Sequence, residues 1–553
     1  MTPMTIERTL IGQMLIAAAQ EMSAKLMRSA FSPILREARD GSCALLDGHG
    51  NVVAQAESIP VQLGSVSAAL KPCLAEFPLA TLGSDDFLIT NDPFHGGQHL
   101  HDIFIFSPIF IDGRPLGFAA SVAHHVDVGG TPSTAAADMF EEGLVIPPTR
   151  LDRRRDWNGG LFERLLRANV RLAEATVGDI NAQLAANAVG AMRVKALADK
   201  HGAEAVADAM QALIDYSERR MRSAISALPD GTWHGEAVID DDGVSPDPLH
   251  VKAAVTVRGD TVRVDFDSTC DQVPRNLNSP FASTVAAVVS CLKSVLTDAA
   301  IPYNEGVVRP IEVVAPLGCL LNPRHGAPTR SRMQASYRAF NAVMQAMAQA
   351  APQRVIAQGF DTTTGILFSY RGPAGYRVSV EVFGGGYGAS AHADGCDAVD
   401  SPLSNCANTP IETMDVDFPF IRLTRYALEP DSFGHGARRG GAGFIRSYEV
   451  LEEHVTLVLF GDRFKFPAPG LFGGGAGAAG RCFVHRDGQT IALEAKATMP
   501  LRRGDRVDLH LGGGGGYGKP TDRDVEAIGA DLRSGLLSNE EAAIYGERKP
   551  LVA

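Results

Sequence analysis

The sequence predicts a mixed α+β fold, with a helical segment in the first half and a large antiparallel β-rich, glycine-punctuated second half. Three observations carry this expectation. Residues 161–228 are almost wholly helical in pattern, with Arg164, Arg167 and Arg171 at helical spacing and an alanine-rich run over 179–200. From Thr232 onward, stretches such as HVKAAVTVRGDTVRVDF alternate apolar and polar residues around Gly-Asp turns, the period of half-buried strands. Fifty-seven glycines and 32 prolines supply the turns that such a region needs. The expected organisation is an N-terminal α+β region over 1–160, a helical segment over 161–231, a β-rich region with inserted helices over 232–520, and C-terminal helices over 521–553.

Taken in order, residues 6–30 read as a first helix, closed by Ser32-Pro33 because proline cannot continue it. The apolar run LIGQMLIAAAQ within it imitates a signal peptide. Gln13 interrupts that run, and the charges that follow keep helical spacing, so an amphipathic helix is the expectation. The charge cluster Arg36 to Asp40 leads into a strand at 42–46, a turn at 47–51 and a strand at 52–54, which together make a hairpin. That cluster reads as an ordinary salt-bridged edge, with a substrate-facing ridge as the alternative. A helix follows over 66–77, and EEGLVIPPTRL reads as a proline-stiffened cover or strap. Pro229-Asp230-Gly231 closes the helical segment. Helices over 282–298 and 334–350 interrupt the later strands. Near the end of the chain, Ser538 and Glu541 form a capping box.

The chemistry concentrates in one stretch, residues 91–130, NDPFHGGQHLHDIFIFSPIFIDGRPLGFAASVAHHVDVGG, which holds five histidines. Residues 103–111 and 116–123 read as two strands joined at Asp112-Gly113, a strong hairpin signal. A three-residue loop, Asp112-Gly113-Arg114, sets Ile111 opposite Pro115 and Asp102 opposite His124. A two-residue loop sets Asp102 opposite Ala123 instead. Cross-strand neighbours lie about 4.5–5.5 Å apart at Cβ, close enough to share an ion. His99 precedes Asp102 by three residues, and one non-extended turn brings it to the same point. His99, Asp102 and His124 are therefore the candidate metal ligands, a set that suits Zn²⁺, Mn²⁺ or Fe²⁺ with positions left open for water or substrate. Asp92, His95, His125 and Asp127 offer supporting acceptors and donors. The competing reading is a polar loop that satisfies its own backbone. His101 is expected to point away from Asp102, as its neighbour on a strand.

Composition excludes several classes. A net charge of −13 opposes nucleic-acid or anionic-membrane binding. Eight cysteines without CxxC spacing suit reduced thiols in a cytoplasm. No transmembrane segment is evident. GAGAAG over 475–480 is preceded by prolines and followed by a strand, the wrong context for a dinucleotide loop. GGGGYGK over 513–519 has Pro520 where a phosphate loop needs Ser or Thr. No G-x-S-x-G elbow is present.

NDPFHGGQHLHDIFIFSPIF with AHHVDVGG resembles the hydantoinase B family, which includes the hydrolytic half of 5-oxoprolinases and is related to the acetone carboxylase alpha subunit. The likeness extends through ILREARDGSCALLD, EEGLVIPPTRL, GDINAQLAAN, VDFDSTCDQVPRNLNSP and GGGGGYGKPTDRD. It departs at His101, where the family usually has proline, and at Gln62, where histidine is common; both departures bear on substrate. The resemblance implies a metal-dependent subunit of an ATP-dependent amidohydrolase. It would open a cyclic amide (a hydantoin, an oxoproline or another lactam) after a hydantoinase A type ATPase partner phosphorylates the carbonyl oxygen. ATP and Mg²⁺ would bind to that partner, in a hetero-oligomer. In the acetone carboxylase alpha subunit an H-x-x-D pair and a later histidine hold the metal, a pattern that falls here on His99, Asp102 and His124. Asp127 or His125 is expected to orient the attacking water, and Asp92 and His95 to support the ligands or the substrate. An ATP-dependent ketone carboxylase subunit is the alternative, and a non-catalytic scaffold subunit is a third reading.

Overall fold

The computed structural model describes residues 5–546 apart from Glu57, Pro132, Ala374 and Ser401. The end of the expected C-terminal helical segment, 547–553, lies outside the described residues. The fold is mixed α+β, and all but one of its strand pairs with a described register are antiparallel. The chain divides into two compact units. One comprises Met1–Pro132, Ala136–Glu236 and Lys252–Ala346, and the other Ser133–Ala135, Ala237–Val251 and Met347–Ala553.

The first unit is built on a six-stranded sheet of order β2-β1-β5-β4-β3-β6. Its strands are β1 (Gly41–Asp47), β2 (Val52–Gln55), β3 (Asp86–Thr90), β4 (Asp102–Ile111), β5 (Arg114–His124) and β6 (Thr149–Asp152). Both faces of the central strands are covered, and the residues alternate accordingly. Ile103 and Ile105 pack with Val177, Ile180 and Leu184. Phe104, Phe106 and Val122 pack with Val66, Ala69 and Leu70 on the other face. The helices involved are α1 (Ile6–Ser29), α2 (Val66–Glu76), α3 (Leu161–Asn169), α4 (Ala173–His201) and α5 (Ala203–Ile225). α1 buries Ile11, Leu15, Met22 and Leu26 against α4 and α5, which accounts for its apolar run as core rather than export signal. The helical segment thus shares its core with the N-terminal strands. Further on lie α6 (Phe281–Leu296) and α7 (Met333–Ala350), each within two residues of its expected bounds.

The β4–β5 hairpin pairs Asp102 with His124, but by a different route from the one the sequence suggested. The loop has two residues, since Ile111 pairs with Arg114. Asp112 and Gly113 take φ of 47° and 74°, the left-handed pair of a type I′ turn, which costs glycine nothing. A bulge between Ile109 and Phe110 on the partner register then adds one residue on β5 and restores the pairing that a three-residue loop would have given.

In the second unit, one sheet sets the strands Gly375–Phe383, Thr364–Gly372, Val455–Phe460 and Lys496–Leu501 side by side in that order, and another sets Ile421–Leu428, Phe444–Val450, Arg506–Leu511, Arg481–Arg486 and Gln489–Leu493. Both contribute to one apolar core that joins Ile366, Phe368, Leu457 and Leu459 with Phe444, Val450, Val484 and Leu509. Inside it Arg446 is wholly buried. It donates to Glu381 at 2.5 Å and to the Thr409 carbonyl at 2.9 Å, while Tyr448 donates to Glu381 at 2.6 Å. The glycine-rich runs are packing devices. Gly513 donates to the Ala478 carbonyl, Gly514 to Gly441 and Gly516 to Gly475. A Cβ on Gly513 would lie 1.9 Å from the Ser432 oxygen, so backbone meets backbone there. These amides are spent on carbonyls, leaving none of the three to cradle a phosphate. The last described elements are α8 (Val525–Ser534) and a 3₁₀ turn, Glu541–Tyr545, where the Ser538 hydroxyl accepts from the Glu541 amide at 3.2 Å.

Candidate metal centre

The three central strands of the first unit end together. β4 begins at Asp102, β5 ends at His124, and Asp40 immediately precedes β1, its carbonyl accepting from the His124 amide at 3.0 Å. His99 stands in the turn ahead of β4, and its carbonyl accepts from the Asp102 amide at 3.0 Å. This turn is the non-extended step the spacing called for.

His99 Nε2 lies 3.2 Å from His124 Nδ1 and 3.3 Å from Asp102 Oδ1, and His124 Nδ1 lies 3.6 Å from Asp102 Oδ1. Ligand atoms held about 2.0–2.2 Å from one ion stand roughly 3.0–3.5 Å from one another, so the spacing fits a shared divalent cation. The protons are placed to match. His99 Nδ1 faces the Arg330 carbonyl at 3.1 Å, which only accepts, so the ring's proton sits there and Nε2 presents a lone pair. Burial, with the Arg332 charge beside it, pushes His99 down to about 3. Burial works against charge on Asp102, yet His99 and Arg332 hold its carboxyl well below the usual range. A lone pair and an anionic oxygen thus point at the same space, an arrangement that a cation stabilises. Among the described residues this is the one group of three or more such side chains with metal-ligand spacing.

Several neighbours were not legible in the sequence. Asp40 Oδ2 stands 3.6 Å from His124 Nδ1, so the charge cluster read as an ordinary edge ends in a carboxylate beside the triad. Gln62 donates to Asp40 at 2.7 Å and to Asp102 at 3.4 Å, an amide bridging two carboxylates. Arg332, buried, donates to Asp102 at 2.6 Å and to Gln98 at 2.6 Å. His101 does not point away. It lies in the turn, where strand alternation has no force, with its ring centroid 5.2 Å from both His99 and His124. Only chain folding could disclose Arg332, which is 230 residues from Asp102.

The remaining expected residues have other partners. His125 is wholly buried, and its Nε2 meets Gln183 of α4 at 3.0 Å. Asp127 accepts backbone amides from Gly129 at 2.9 Å, Leu172 at 2.8 Å and Arg171, which anchors the start of α4. Asp92 caps the 3₁₀ turn Pro93–His95 and orients His95 Nδ1 at 2.8 Å. His95 lines a cleft of ≈ 780 Å³ together with Phe94, Phe281, Leu317, Arg324 and His325.

The hydantoinase B/oxoprolinase family model matches residues 4–520. A putative D-/L-hydantoinase B component from Pseudomonas sp. strain NS671 is 33% identical over 551 residues, covering 96% of this chain and 92% of its own. The beta chain of caprolactamase from Pseudomonas jessenii is 32% identical over 564 residues, covering 96% and 93%. The crystal structure of ATP-dependent caprolactamase from that organism superposes with a TM-score of 0.89 at 30% identity, covering 98% of this chain and 96% of the other. A nucleotide-free acetone carboxylase structure has a TM-score of 0.88 at 19% identity, covering 97% and 79%; it shares the fold.

Proposed function

We propose a function that starts from one premise: the chain belongs to the hydantoinase B/oxoprolinase family. It is the metal-dependent, ring-opening subunit of an ATP-dependent amidohydrolase that acts on a cyclic amide such as a hydantoin, an oxoproline or another lactam. The observation that carries this reading is the convergence of His99 Nε2, Asp102 Oδ1 and His124 Nδ1 within 3.2–3.6 Å in a chain similar along its length to components of a hydantoinase and a caprolactamase.

Ring amides resist hydrolysis because resonance makes nitrogen a poor leaving group. Phosphorylation of the carbonyl oxygen by an ATPase-type partner removes that resonance. Water then adds to the ring carbon, the C–N bond breaks as the nitrogen takes a proton, and hydrolysis of the resulting acyl phosphate by a second water releases inorganic phosphate. His99, Asp102 and His124 would hold Zn²⁺, Mn²⁺ or Fe²⁺, which would supply Lewis-acid stabilisation of developing oxygen charge. Asp40 adds a further donor, and Gln62 and Arg332 fix the two carboxylates. The Arg330 carbonyl keeps the His99 proton on Nδ1. Asp127 and His125 act by positioning, since their polar atoms are given to the backbone around α4 and to Gln183. Asp92 orients His95 on the cleft beside the turn. The eight cysteines are free thiols, which suits a cytoplasmic enzyme, and no described helix is long and apolar enough to cross a membrane.

The test is the complex of this chain with its ATPase partner, given ATP and a panel of hydantoin, 5-oxoproline and caprolactam. Ring-opened product formed in step with ADP is expected. A strict need for bicarbonate, with a carboxylated product, would replace this reading by ketone carboxylation. His99→Ala that retained full metal and activity would rule out the triad, and a purified chain without metal would favour a scaffold subunit.

A further inference from the structure

We propose that Glu142 is a positioning residue for the metal-site triad: it holds the segment 329–332 where that segment must lie to fix the His99 ring and brace Asp102. The proposal rests on the functional reading above. Glu142 ends the short helix Met139–Glu142, which Asp138 caps, and is 1% exposed. Its two oxygens accept from the Thr329 amide at 3.1 and 3.0 Å and from the Arg330 amide at 2.9 Å. Its hydrogen bonds thus go to this one stretch of backbone, with the Arg330 and Arg332 charges of the same segment nearby.

That stretch reaches the triad at two points. The Arg330 carbonyl faces His99 Nδ1 at 3.1 Å, and the Arg332 guanidinium meets Asp102 Oδ2 at 2.6 Å. One residue therefore governs the tautomer of one ligand and the charge partner of another. The platform beneath Glu142 is itself tied down. Met139 donates to the Gly326 carbonyl at 2.9 Å, Leu144 to Val128 at 2.8 Å, and Ile146 to the Asn91 side chain at 2.7 Å. Asn91 in turn donates to the Leu100 carbonyl at 2.7 Å, inside the turn that carries His99 and His101. On its other side the segment is held by Asn276, whose carbonyl accepts from Ser331 at 2.7 Å, and by Asn278, which donates to the Pro328 carbonyl at 3.0 Å. With that second anchor in place, loss of Glu142 shifts the segment rather than unfolding it. The strap expected from the proline-rich stretch is thus a strut behind the ligands.

The experiment compares wild type, Glu142→Gln and Glu142→Ala as full chains. It reads the melting temperature, the divalent-metal affinity by competition with a chromophoric chelator, and the visible spectrum of the Co²⁺-loaded protein. Partners behind metal ligands typically govern about 10–100-fold in affinity. Glu142→Ala is expected to bind about 10–100-fold more weakly, with an altered Co²⁺ spectrum. Glu142→Gln, which keeps one accepting oxygen, should fall between. If Glu142→Ala fails to fold, Glu142→Gln carries the comparison. A lower melting temperature with unchanged affinity and spectrum would make Glu142 merely structural and overturn the proposal. A wild-type chain that binds no divalent metal would overturn the functional reading, and this inference with it.

Discussion

At the scale of single residues, the site is a contest between burial and charge. Asp102 is fully buried between two histidines and an arginine, and burying a carboxylate is costly unless its partners stay in place. Arg332→Ala should therefore cost about 3–5 kcal/mol and weaken metal binding, read by denaturant titration and by metal competition. Asp40→Asn removes one donor and leaves the Gln62 bridge partly intact; its expected effect is weaker metal binding with little change in stability. His99, Asp102 and His124 were legible because all three lie near one hairpin. Asp40 was not, because a charged strand approach usually means a solvated edge. His101 was misplaced because a strand period was applied one residue too early. Arg332 carries no local signal at all, and Gln62 stood out only as a departure from the family pattern, since the contacts of both exist only once distant segments meet.

At the scale of elements, the hairpin does the positioning. The faces of β4 and β5 alternate between two helical layers; β5 ends at His124, a member of the triad, and the next residue, His125, meets Gln183 of α4. Phe104 packs in the wholly buried layer under α2, so Phe104→Ala should lower stability by about 3–5 kcal/mol in a chemical-denaturation measurement. Element types and most bounds were readable from periodicity, and the two-residue turn was one of the two loops that Asp112-Gly113 allowed, whereas the compensating bulge was not readable. The bulge depends on strand twist and core packing rather than on which residues favour a turn. The strap has its own signature in pH. Burial, opposed by the Thr329 and Arg330 amides, raises the Glu142 carboxyl to about 7 from an ordinary 4.5. The unfolded chain ionises that group first, so its stabilising contribution is full below about 4.5 and is lost as pH rises through about 7. The melting temperature of wild type, relative to Glu142→Gln, should accordingly decline between about pH 5 and 8; an unchanged difference would count against it.

At the scale of the whole molecule, two units carry different burdens. The first brings strand ends and distant segments together at His99, Asp102 and His124. The second spends its glycines on backbone packing and keeps a buried Arg446–Glu381 pair at 2.5 Å. Glu381→Ala leaves Arg446 unpaired and should destabilise the protein by about 3–5 kcal/mol, seen by calorimetry. Family membership was legible from ordered motifs spread along the chain, while the glycine runs that imitate nucleotide loops needed the fold to be read as packing. The proposed function turns on the triad. Its most direct test is the metal content of purified wild type and Asp102→Ala after equilibration with Zn²⁺, Mn²⁺ or Fe²⁺ and removal of free ion. The account predicts about one ion per wild-type chain and loss of that ion in a folded variant. Equal metal content in the two proteins, or none in wild type, would contradict it.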